Sequence, residues 1–164
     1  MAISIKHKIF KILEILPLLL LFYISLSGSS IFDFKLFSIN IHYILIYYWV
    51  LRRPEILGNG FIFLSGIITD VMFGLPLGIT ALTLLVISAM ATYVRVVTVR
   101  VNLFSDWISF IPALLIANFI YFIALYFSNY SIDYSYLFIN SVFTFIFYPV
   151  LWILFTVLLN FMKN

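Results

Sequence analysis

An ionisable side chain inside a long apolar run costs about 2.5–3.5 kcal/mol to insert into a bilayer, so each one needs a reason. Asp70 is the clear case, set in Ser65-Gly66-Ile67-Ile68-Thr69-Asp70-Val71-Met72-Phe73. A carboxyl group there suits either a proton or cation site, or an anchor accepting hydrogen bonds from the turn that begins at Gly74. The anchor is the expectation, because no second acid or lysine at that depth in another span supplies a partner. Asparagine still accepts a hydrogen bond and is expected to replace Asp70 with little loss, whereas leucine is not. His42, with Asn40 beside it, falls in the same half of the bilayer and can approach Asp70. Such a pair can relay protons, but a histidine hydrogen-bonded inside a bundle is the plainer expectation.

Catalytic chemistry finds little else to use. There are no cysteines, which removes disulfides, thiolate metal sites and cysteine nucleophiles. Two-carboxylate peptidase chemistry needs acids that face each other, and Asp70 and Asp106 are assigned to opposite sides of the bilayer. The chain has no Gly-x-Ser-x-Gly elbow, no histidine pair at helical spacing and no glycine-rich phosphate loop. Inverted repeats with broken, polar midplane spans, the marks of a transporter, are not evident. No catalytic residue, metal site or cofactor is expected, and the protein is read as a non-enzyme.

The elements that must position these residues follow from composition. Hydrophobic residues make up 65% of the 164 and charged residues 9%, against about 25% charged in a soluble domain. The apolar runs approach the roughly 20 residues a helix needs to cross hydrocarbon, and no alternating 10-residue pattern suggests a β-barrel. An all-α integral membrane bundle of about six spans is expected, with residues 1–164 forming one transmembrane domain. The net charge of +3 rests on few basic residues and does not point to nucleic acid.

The first span is expected from Ile12 to Leu26, behind a basic start of Lys6, His7, Lys8 and Lys11. Ser25 to Gly28 would suit signal-peptide cleavage, but the run is long for such a segment, more spans follow, and retention is expected. A polar break from Ser27 to Ser30, then Asp33 and Lys35, marks the first loop. The second span covers about Leu36 to Leu51, and the third runs from near Gly58–Gly60 to Phe73. Gly74-Leu75-Pro76-Leu77-Gly78 reads as a tight reversal rather than a helix-pairing motif, because proline sits between the glycines. The fourth span is expected from Ile79 to Val94 and the fifth from Trp107 to Phe127, capped by Ser105 or Asp106. Ser128 to Asp133 forms a loop without basic residues, and the last span covers Leu137 to Met162. Pro17, Pro112 and Pro149 fall within spans and read as kinks or first turns. Gly66, Ser88, Ala89, Ala91, Ala113 and Ala117 allow close helix approach.

Six alternating spans from a cytoplasmic N-terminus place Lys6, Lys8, Lys11, Arg52, Arg53, Arg95, Arg100 and Lys163 inside. Only Lys35 then lies outside, so eight of the nine basic residues obey the positive-inside rule. Both termini are expected in the cytoplasm. Tyr130, Tyr134 and Tyr136 at the outer loop, and Trp49 and Trp107 at inner ends, are read as interfacial aromatics. Arg52-Arg53-Pro54 reads as a stop signal against anionic lipid or as a cytoplasmic docking point, and composition leaves both open.

One stretch carries a resemblance. Trp49-Val50-Leu51-Arg52-Arg53-Pro54, then Gly60-Phe61, then Ser65-Gly66 through Asp70 to Gly74-Leu75-Pro76-Leu77-Gly78 and Leu82 resembles the central signature of the MreD family, bacterial rod shape-determining membrane proteins. There an aromatic span ends at Arg-Pro, a glycine-rich span carries Gly-x-x-x-Asp, and Gly-x-x-x-Gly opens the next. The match covers about a fifth of the chain; beyond Arg95 only hydropathy agrees. The resemblance implies a non-enzymatic inner-membrane component of the cell-elongation complex, partnered by an MreC-like bitopic protein and an MreB-like actin filament. It implies a part in directing peptidoglycan synthesis by cell-wall synthases. It also marks Arg52, Arg53, Pro54, Gly66, Asp70, Gly74, Pro76 and Gly78 as partner-binding or structural positions. The family's bundle is similar to the substrate-binding subunit of vitamin transporters, the alternative function. Those subunits carry Ala-x-x-x-Ala in the first span, and Ile12 to Leu26 has no alanine.

Overall fold

The computed structural model describes residues 2–27, 39–98, 102–130 and 134–163, and these form helices and short turns with no strand among them. The helices are α1 (Ala2–Ser27), α2 (Ile41–Arg52), α3 (Asn59–Phe73), α4 (Ile79–Val97), α5 (Leu103–Phe127) and α6 (Tyr134–Lys163). Among the described residues, three helical stretches are long and apolar enough to cross a membrane: Ile79–Val97, Leu103–Phe127 and Ser135–Phe161. The expected loop residues Gly28 to Ser30, Asp33 and Lys35, and Arg100, Ser131 and Asp133, lie outside the described residues. So do the side chains of Lys6, His7, Lys8, Lys11, Tyr134 and Lys163.

α2 is the centre of the bundle. Every residue from His42 to Leu51 is buried, and α1, α4 and α6 pack around it. Its start is later than the expected Leu36, because Asn40 caps it: the Asn40 Oδ1 accepts from the Tyr43 amide at 3.4 Å. It stops where Pro54 forces its neighbour out of helical backbone, leaving Arg53 at φ −145°. Trp49, expected at the interface, is wholly buried in the core with Tyr47, Tyr48, Phe110, Tyr148 and Phe155. An indole suits a buried aromatic cluster as well as an interface, so its position was open to either.

Side-chain contacts fix the helix directions. Asn40 meets Thr144 and Tyr48 meets Thr156, so α2 and α6 run parallel. Arg52 meets Asp106 while Tyr47 packs on Phe110, so α2 and α5 are antiparallel. Asn59 with Ser88, and Gly66 against Ala81, make α3 and α4 an antiparallel pair. Gly66, Ser88, Ala91, Ala113 and Ala117 are buried as expected of small contact residues; Ala89 is exposed instead. Large apolar side chains point outward instead of water-soluble ones, among them Leu115, Phe119, Val150 and Leu154. That is the surface a hydrocarbon solvent requires.

Candidate functional site: a capped hairpin and a charged junction

The α3–α4 reversal follows from its glycines. Gly74 adopts φ +64° and ends α3 in a Schellman arrangement, with the Leu75 amide donating to the Asp70 carbonyl at 2.9 Å. Gly78 adopts φ +97° and opens α4, whose first amides have no helical partner. Asp70, fully buried, supplies both acceptors. Its Oδ2 takes the Gly78 amide at 2.7 Å and its Oδ1 the Thr80 amide at 3.0 Å. A carboxylate at a helix N-terminus also complements the helix dipole. One side chain of α3 thus caps α4.

His42 does not complete a relay with Asp70. Its Nε2 lies 3.0 Å from Ser25 Oγ, and the serine hydrogen goes to the Leu21 carbonyl at 2.9 Å, so the ring nitrogen is the donor. The bond ties α2 to α1.

The second cluster sits at the far end of α3, where α2 closes. Arg52 donates from Nη2 to Asp106 Oδ2 at 3.0 Å, and Trp152 Nε1 donates to the same oxygen at 2.9 Å. The Arg52 guanidinium also lies over the Tyr48 and Trp152 rings, 5.6 and 5.3 Å from their centroids. The Asp106 side chain is only 1% exposed and that of Arg52 22%, so the acid is buried and the base still reaches the surface. Asp106 does not cap α5 and neither does Ser105. The helix starts earlier, after Asn102, and Asp106 sits in its first turn facing α2 and α6. Arg52 at a helix C-terminus and Asp106 at a helix N-terminus each sit favourably in their own helix dipole. Three buried polar atoms close to this junction, Tyr47 Oη, Tyr148 Oη and Arg52 Nε, have no protein hydrogen-bond partner.

The eight motif positions therefore divide between two places. Gly66, Asp70, Gly74, Pro76 and Gly78 build the hairpin; a Cβ at Gly66 would stand 2.3 Å from Ala81 Cα. Arg52, Arg53 and Pro54 form the α2–α3 turn, where Arg53 makes only a loose 3.8 Å contact with the exposed Glu55. Asp106 and Trp152 were missed from sequence. A usable signal existed: topology put Arg52 and Asp106 on the same membrane face, and an acid in the apolar stretch Leu103 to Trp107 needs a cation. Neither carboxylate faces a nucleophile, and no three histidine, aspartate or glutamate side chains gather among the described residues to hold a metal ion. What the arrangement can do is hold helices in fixed relation and present a basic turn at one end. No protein family, curated protein or solved structure matches the chain.

Proposed function

We propose that this chain is a non-enzymatic, multi-pass scaffold of the bacterial inner membrane that takes part in rod-shape elongation and helps direct peptidoglycan synthesis. The observation that carries the reading is the segment Trp49 to Leu82, with its resemblance to the MreD signature. Two features support it: a braced hairpin inside the bundle, and a half-buried basic turn at Arg53-Pro54 that a partner could reach. In this reading an MreC-like bitopic protein packs on the helix faces, and an MreB-like filament and cell-wall synthases join the complex.

The reading includes six crossings with both termini cytoplasmic. The directions of α2 to α6 support alternation, since parallel α2 and α6 require an odd number of crossings between them. α2 has 12 residues, about 18 Å, less than the roughly 30 Å hydrocarbon layer. A helix wrapped by protein on all sides tolerates this, because irregular backbone next to it need not face lipid. A periplasm-active reporter fused between α5 and α6 should be active, and one fused at the C-terminus should be silent. The reverse pattern would overturn the topology.

Depletion from a rod-shaped host should round the cells, and mild-detergent purification should recover a bitopic partner with a periplasmic domain. Cells that stay rod-shaped but lose uptake of one vitamin, with an ATPase-linked partner in the purified complex, would replace the scaffold with the transporter subunit.

A further inference from the structure

α6 carries Pro149 in its interior. Proline has no amide hydrogen, so the carbonyl four residues earlier, that of Phe145, loses its helical donor. In a bilayer a freed carbonyl has no water to turn to and must be satisfied by protein. The Trp107 indole Nε1 donates to that same carbonyl at 2.9 Å. Its ring also stacks on Phe145, with centroids 5.0 Å apart and planes 16° from parallel. The grip continues along α6: Phe110 stacks on Tyr148 at 4.7 Å, and Asp106 accepts from Trp152 at 2.9 Å. The first turns of α5 thus hold α6 before the proline, beside it and after it.

We infer that Trp107 supplies the hydrogen bond that Pro149 removes, and that this brace holds α6 together around its proline. Asp106, next in sequence, binds both Trp152 beyond the proline and Arg52 at the end of α2. The α2–α3 turn and the C-terminal half of α6 are therefore linked through one carboxylate. Arg52 and Trp152 share one oxygen of that carboxylate, so a displacement of either is felt by the other through Asp106. This conformational link holds whatever the protein's partners are.

A double-variant cycle tests the brace, read as Tm of the purified full-length protein in detergent. Trp107→Phe should lower Tm by about 3 °C or more. In a Pro149→Ala background the restored amide serves the Phe145 carbonyl, so the same substitution should lower Tm by less than half as much. Loss of the larger ring affects both backgrounds alike and drops out of the comparison. Equal shifts in the two backgrounds would overturn the inference. If Trp107→Phe does not accumulate alone, its recovery by Pro149→Ala supports the brace. Failure of the double variant where Pro149→Ala accumulates counts against it, and so does failure of Pro149→Ala itself.

Discussion

Asp70 directs each carboxylate oxygen to a different amide, Gly78 on one side and Thr80 on the other. An asparagine has one acceptor oxygen, so its NH2 would face an amide hydrogen on the other side. The sequence alone suggested that asparagine would serve; the two-sided geometry argues otherwise. Asp70→Asn should destabilise the protein by about 1–3 kcal/mol, the range for an unsatisfied buried donor. Thermal unfolding in detergent would measure it, and an unchanged midpoint would mean one oxygen is enough. Arg52 and Asp106 call for a different experiment, since the pair is charged and unequally buried. Arg52→Ala leaves the buried Asp106 side chain without its cation and should cost about 3 kcal/mol, the low end for a broken buried pair because Arg52 reaches the surface. Adding Asp106→Leu should recover part of that loss, because no unpaired acid is then left buried. If the double variant is less stable than either single one, the two residues act separately.

At the scale of elements, local chemistry was legible and distant chemistry was not. The end of α3 and the start of α4 could be read to the residue, because positive φ at Gly74 and Gly78 is a property of a five-residue stretch. The start of α2 could not be read, since residues 36–41 are as apolar as the helix itself and only Asn40 marks the cap. Trp49 and Asp106 were misplaced for one shared reason. Burial of an amphipathic ring or an acid is decided by residues about 50 or more positions away in sequence, which no local window contains. Gly66 shows how little room the α3–α4 contact leaves. A Cβ there meets backbone atoms of Ala81 at 2.3 and 2.6 Å, which cannot rotate away. Gly66→Ala should therefore drive the helices apart and cost about 1–3 kcal/mol. Gly60, in the same helix, has nothing within 4 Å of a Cβ, so Gly60→Ala should be neutral or stabilising by up to about 1 kcal/mol. Chemical denaturation of the two variants side by side separates packing from helix propensity; equal effects would mean the α3–α4 contact is loose.

On the scale of the whole molecule, a helix with almost no lipid contact sits inside a lipid-facing shell. α2 is made before α6, yet it depends on residues of α6. Its Asn40 amide waits for Thr144, its Tyr48 hydroxyl for Thr156, and the acid that holds Arg52 for Trp152. Until α6 emerges from the ribosome, the Asn40 amide and the Tyr48 hydroxyl lack these partners, and hydrocarbon cannot replace them. The nascent chain should therefore pass through a stage in which α2 is held by the insertion machinery or lies shallow, and reaches its final depth after α6 arrives. A chain ended after Tyr130 should be cleared by membrane proteases, and co-expression of the missing 131–164 segment should restore its abundance. Equal levels of the truncated and full-length chains in a pulse-chase experiment would show that α2 seats itself without the last helix.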